Sequence, residues 1–212
     1  MAASSRLPTI IPTAMPQVTT ALIVANIAVY FLQQVMPPSL EALFALWPLG
    51  TAQVSGGRAG FQPWQMVTYG FLHADLFHLG FNMYGVYLFG SALELVVGPR
   101  RYLSYYFVCV VAAAVVQLIF AYLSGGFYPT VGASGGVFGL LLAYAVYFPH
   151  NKLMLLFLPV PIPARIFVMI YAALELFLGV TGTQSGVAHF AHLGGLVGGA
   201  AMLFYWGKFR RR

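Results

Sequence analysis

Long apolar stretches separated by short polar breaks divide the chain near residues 18–36, 74–97, 102–123, 134–148, 164–180 and 187–206. About 20 apolar residues in helical conformation cross a hydrocarbon core of about 30 Å, so the pattern predicts six membrane spans. The fourth stretch is short, opened by Gly135-Gly136 and closed by Pro149. The first connection, about 37–70, is long. In it Leu40, Leu43, Phe44 and Trp47 recur at helical spacing after Pro37-Pro38-Ser39. That spacing predicts a short helix lying in the interface, with Trp47, Phe61 and Trp64 as interfacial aromatics. A division follows into a short tail (1–17), one membrane domain (18–207) and a basic tail (208–212). The first apolar run lacks a small-residue cleavage site and reads as a retained span.

Composition and charge sharpen this picture. Of 212 residues, 60% are hydrophobic and 7% charged, too few charges for a soluble surface. With six spans both chain ends share a side. Arg6, Arg100, Arg101, Lys152, Arg165, Lys208, Arg210, Arg211 and Arg212 all fall on it, and Arg58 alone on the other. The positive-inside rule makes the crowded side cytoplasmic. The net charge of +6 is thereby explained as a topology signal, with lipid contact at the 208–212 tail and no nucleic acid partner. Cys109, the single cysteine, lies in an apolar run and forms no internal disulfide.

Reactive side chains in apolar segments are costly and usually functional. Gly132-Ala133-Ser134-Gly135-Gly136 places a serine at the mouth of the fourth span, and Ala191-His192-Leu193-Gly194-Gly195 places a histidine in the sixth. At about 1.5 Å of rise per residue, Ser134 stands roughly 20 Å from the Phe148 end, leaving it roughly 8–10 Å inside the opposite face. His192 and, on the second span, Asn82 reach a similar level. Such a serine and histidine, once in contact, make a nucleophile and its base. Gly135 with Gly139, Gly195 with Gly199 and Gly194 with Gly198 are each four apart, a spacing that lets helix backbones approach closely. With the fourth span too short to cross, residues 124–133 are expected to dip below the surface, where non-helical backbone is tolerated against protein or a wet cavity.

In these motifs the chain resembles the rhomboid family of intramembrane serine proteases. The resemblance runs from about Trp64 to Gly199. It is carried by Gly132-Ala133-Ser134-Gly135, by His192 with Gly195 and Gly199, and by His73-x4-His78-x3-Asn82 followed by Glu94. It implies an all-α, six-transmembrane-helix bundle of the bacterial type, with Ser134 as nucleophile, His192 as general base and no third carboxylate. It also implies an oxyanion hole from His78, Asn82 and the Ser134 N–H. Transmembrane proteins would be the substrates, in a bacterial inner membrane, with the site opening to the outer face. The family's Trp-Arg pair in the first loop is absent; Pro63-Trp64-Gln65 stands near there.

Other polar residues receive plainer assignments. Asp75 is expected to cap the second span, and Glu94 to bind backbone or the Arg100-Arg101 region. His189 is expected to pack or to anchor a loop. Glu175 lies deep enough to need a partner, a structural hydrogen bond being the first expectation and a third catalytic member the alternative. His-Glu-x-x-His is absent and the five histidines have no matching carboxylate at ligand spacing, so neither metal nor other cofactor is expected. The rival functions are a non-catalytic membrane chaperone of the same fold and a small transporter. The first would have lost Ser134 or His192; the second would place polar residues at mid-membrane and often show repeats.

Overall fold

The computed structural model describes residues 15–36, 39–54, 59–155, 158–182 and 188–208. Arg6, Pro37, Pro38, Arg58, Arg210, Arg211 and Arg212, used above for charge and loop readings, lie outside the described residues, as do most of the two tails and residue 187.

Among the described residues, six helical segments form an all-α membrane bundle. Four are long and apolar enough to cross a membrane: α1 (Gln17–Val35), the continuous Leu76–Val97 segment, α7 (Pro99–Ser124) and α9 (Ala164–Thr181). Two are shorter, α8 (Ser134–Tyr147, 14 residues) and α10 (His189–Tyr205, 17 residues). The Leu76–Val97 segment is α5 (Leu76–Gly85), a π-turn (Val86–Gly90) and α6 (Ser91–Val97) in series. Asp75 caps it by accepting from the His78 N–H at 2.8 Å, as expected of an aspartate at that position. Pro99, whose missing N–H costs nothing in a first turn, opens α7.

The first connection is a string of short elements: α2 (Ser39–Phe44), α3 (Thr51–Val54), α4 (Gln65–Thr68) and a 3₁₀ turn (Tyr69–Phe71). The helix expected around 40–47 therefore stops at Phe44, before Trp47. Between α8 and α9, where hydropathy indicates no element, an antiparallel hairpin forms from β1 (Lys152–Leu155) and β2 (Leu158–Pro163), pairing Lys152 with Pro163 and Leu153 with Ile162.

The glycines explain why α8 and α10 sit at the centre. Gly135 and Gly139 face Gly195 and Gly199: a Cβ on Gly195 would overlap the Gly135 carbonyl, and one on Gly199 would lie 3.3 Å from the Gly139 Cα. Gly194 and Gly198 turn to a different neighbour, the Ala112–Ala113 region of α7. One helix thus offers two small-residue faces and is gripped on both. Buried tyrosines of α7 fill what remains, Tyr105 donating its hydroxyl to the Gly139 carbonyl at 2.8 Å.

Candidate active site

Ser134 is the first residue of α8. Ala133 is the cap, with no side-chain hydrogen bond, so the serine hydroxyl is not consumed in capping. The first helical bond of α8 runs from Val137 N to the Ala133 carbonyl at 3.1 Å. The Ser134 N–H therefore has no partner within the helix, as for any first-turn amide. Ser134 is held in place by the loop before it. Thr130 and Leu46 exchange both backbone hydrogen bonds at 3.0 Å, and Gly132 N donates to the Tyr69 carbonyl at 2.9 Å. These contacts tie Thr130 and Gly132 to the first connection, and Thr130, Gly132 and Ala133 are buried, whereas Ser124, Gly125, Phe127 and Tyr128 are exposed, so only the end of the segment expected to sink is packed against protein. Gly132 has φ +124°, a conformation other residues rarely adopt. A Cβ there would come within 2.7 Å of the His78 ring and 3.7 Å of Ser134 Oγ. His78 and Ser134 therefore flank the same bare backbone.

His192 lies one turn into α10, and its Nε2 is 2.8 Å from Ser134 Oγ. A hydroxyl at that distance can hand its proton to the imidazole as it attacks a carbonyl. The ring is stacked on Phe138, with centroids 4.3 Å apart and planes 9° from parallel. Phe138 in turn stacks on Tyr171 at 5.3 Å, and Tyr171 on Phe167 at 5.6 Å. This aromatic ladder from α9 holds the plane of the imidazole.

His78 and Asn82 do share a helix face, but Asn82 Nδ2 donates to the His78 carbonyl at 2.8 Å. An amide carries two N–H groups, so one remains for the site. His78 Nδ1 accepts from Ala74 N at 3.4 Å. In the neutral ring this assigns the proton to Nε2, the nitrogen beside Gly132. The preceding loop is clamped by Gln33 of α1, whose side chain accepts from His73 N at 2.9 Å and donates to the His73 carbonyl at 3.3 Å. His73 itself lies outside the spans, is 1% exposed, and meets the His78 ring edge-on at 5.1 Å. Burial, and then His78, lower its pKa from 6.5 to about 4.

The folded chain names the partners of the buried carboxylates. Of the two partners expected for Glu94 it takes backbone: it accepts from Val18 N (3.0 Å) and Thr19 N (2.8 Å), and also from Thr19 Oγ1 (2.8 Å), serving as the charged cap of α1 from another span. His189 does not merely pack: its Nδ1 lies 2.6 Å from Glu175 Oε2. The same oxygen lies 2.9 Å from His192 Nδ1. The expectation that no carboxylate matches the histidines is thus corrected, since Glu175 of α9 meets two histidines of α10. Donor atoms of Glu175, His189 and His192 lie within 4.8 Å of one another, the one set of metal-ligating type among the described residues. Their direct contacts are hydrogen-bond distances, whereas donors around a tetrahedral zinc stand roughly 3–3.5 Å apart. The arrangement fits hydrogen bonding better than a metal.

Phe138 and the Glu175 contact were missed from sequence. Phe138 had a signal, being four residues after Ser134 and so on its face of the helix. The Glu175 contact had none, because it depends on how α9 docks on α10.

A family model described as the rhomboid domain matches residues 60–209. The chain is 31% identical over 140 residues to rhomboid protein 1, mitochondrial, of Saccharomyces cerevisiae, covering 65% of this chain and 40% of that protein. It is 28% identical over 186 residues to rhomboid protease GluP of Bacillus subtilis, covering 87% of this chain and 34% of the other. Against RHOMBOID-like protein 12, mitochondrial, of Arabidopsis thaliana it is 26% identical over 208 residues, covering 92% and 59%. The chain thus spans roughly a third to three-fifths of the length of these relatives.

Proposed function

The chain belongs to the rhomboid family of integral membrane proteins, and from that premise we propose that it is an intramembrane serine protease working through a Ser134–His192 dyad. The observation that carries this reading is the 2.8 Å contact between His192 Nε2 and Ser134 Oγ, made within the bundle by helices that glycines draw together.

In this reading Ser134 Oγ attacks the scissile carbonyl while its proton passes to His192 Nε2. The developing oxyanion meets the free Ser134 N–H, the second N–H of Asn82 and the Nε2–H of His78, donors fixed before substrate arrives. His192 then gives its proton to the leaving amine, and water, activated by the same ring, releases the acyl group. Helix α8 begins at Ser134 and is 14 residues long, about 21 Å, so its serine end lies short of a full crossing. Water therefore has a shorter way to the nucleophile from that side. The charge asymmetry supports cytoplasmic chain ends and a site open to the opposite face. Transmembrane segments of other proteins are the substrates.

The test is labelling of detergent-purified protein with a serine-directed fluorophosphonate, alongside cleavage of a single-span substrate. Wild type is expected to be labelled and to cleave. Ser134→Ala and His192→Ala are each expected to fall to near background while unfolding at an unchanged temperature, because members of such a unit fail together. Comparable cleavage by Ser134→Ala would overturn the assignment.

A further inference from the structure

We propose that Glu175 is a positioning residue for His192, so that the dyad is the outer part of a buried chain running Ser134–His192–Glu175–His189. This rests on the reading of Ser134 as nucleophile and His192 as its base.

Glu175 is 6% exposed, within an apolar helix. A carboxylate so placed is costly unless charge and hydrogen bonds compensate it. Its Oε2 has two neighbours of the right kind, His189 Nδ1 at 2.6 Å and His192 Nδ1 at 2.9 Å. The two contacts differ. The one to His189 is an aligned hydrogen bond and anchors the carboxylate to the start of α10. The one to His192 is at ion-pair distance but off the ring's N–H axis, since His192 Nδ1 has no aligned partner among the described residues. Catalytic hydrogen bonds in unliganded sites are commonly bent and tighten when substrate binds.

The chemistry needs such a group at that nitrogen. For Nε2 to accept the Ser134 proton it must present a lone pair, so the neutral ring must carry its hydrogen on Nδ1. The Phe138 stack fixes the plane of the ring but does not select a tautomer, because the flat face is the same in both. Glu175 Oε2 does select, since an anionic oxygen 2.9 Å from Nδ1 favours a hydrogen there. When Nε2 takes up the serine proton, the imidazolium charge forms beside that carboxylate, where little water screens the attraction. Oε2 keeps its electrons and the proton stays on Nδ1, so the residue orients and stabilises without exchanging a proton.

The experiment compares wild type, Glu175→Gln, Glu175→Ala and Ser134→Ala in detergent with a single-span substrate, reading kcat, KM and the unfolding midpoint. Glu175→Gln keeps the size of the side chain and loses its charge. Both Glu175 variants should lose kcat by on the order of 10- to 100-fold, with KM little changed and Ser134→Ala inactive. Full kcat in folded Glu175→Gln and Glu175→Ala, with Ser134→Ala still inactive, overturns this proposal alone; an active Ser134→Ala overturns the reading beneath it. A second measurement needs no Glu175 variant. Nitrogen NMR of histidine-labelled wild type, with His192 assigned by substitution, should show its hydrogen on Nδ1 and none on Nε2. A hydrogen resting on Nε2 overturns the proposal even if every Glu175 variant fails to fold.

Discussion

Gln65 and His73 are both buried in the first connection, and they are held in opposite ways. Gln65 Oε1 accepts from Trp47 N (3.2 Å) and Gln62 N (3.1 Å), while its Nε2 donates to the carbonyls of Leu43 (3.2 Å) and Gly60 (3.1 Å). One amide thus ties residues 43–47 to residues 60–62. His73 has no side-chain hydrogen bond to either ring nitrogen among the described residues. Its lowered pKa, about 4, means the folded protein refuses a proton that the unfolded chain accepts below about 6.5. Above pH 6.5 both states are neutral and nothing is lost. Between about 6.5 and 4 the unfolded state gains the proton first, so stability falls as pH falls, by on the order of 3 kcal/mol in full. We expect His73→Leu to flatten that part of the stability–pH curve relative to wild type. Unfolding midpoints in detergent at pH 7, 5.5 and 4.5 check it, and an unchanged slope would show that the ring is not the group responsible.

Between elements, the decisive contacts are backbone against backbone. Where α8 crosses α10, a methyl on Gly195 has no flexible side chain to push aside; it meets the Gly135 carbonyl and Cα. Overpacking of a tight interior typically costs about 1–3 kcal/mol, and an unyielding backbone places Gly195→Ala at or above the upper end. The same crossing carries Ser134 and His192, so activity should fall with stability. Gly80 on α5 is the control: a Cβ there meets nothing within 4 Å. Replacing a helical glycine by alanine where there is room gains about 0.5–1 kcal/mol, so Gly80→Ala should unfold no earlier than wild type. Equal midpoints for the two variants would disprove the close-approach account. A different contact fixes α1, whose first turn lacks a local side-chain cap and takes its anion from Glu94 on α6.

For the molecule as a whole, the outer surface is apolar. Phe31, Val35, Phe77, Ile119, Leu123, Met169, Phe177 and Phe204 are all exposed, as suits residues facing lipid tails. Ser134 stands inside the bundle, behind the loop that Leu46, Tyr69 and Thr130 pin down. Under the proposed function, a substrate helix arriving from lipid would have each carbonyl bonded within itself. Ser134 reaches one only after a turn unwinds, and unpaired backbone groups in lipid cost several kcal/mol each. Glycine and proline lower that cost by about 1 and 3 kcal/mol relative to alanine. Cleavage is therefore expected near the end of a single span, after a small residue, with helix breakers just inside. Replacing those breakers by leucine in a cleaved substrate should slow cleavage progressively, and an unchanged rate across the series would show that unwinding does not select substrates.

What the sequence determined by itself is whatever depends on local composition and periodicity. Six apolar segments, the cap at Asp75, the short α8 opening at Ser134 and the glycine faces are written in consecutive residues, because helix formation in lipid is decided within each segment. The meeting of Ser134 with His192 was also legible, through the resemblance that puts both residues in one site and the glycines four apart beside each. The tertiary structure alone decided which neighbour each face took. Gly194 and Gly198 turned to α7, Glu94 took the backbone of α1 out of the two partners expected for it, and Glu175 reached His189 and His192. These partners lie on separate helices whose rotation and depth are set by packing over the whole bundle. A carboxylate in an apolar run announces that it needs a partner, and only the docked helices name it.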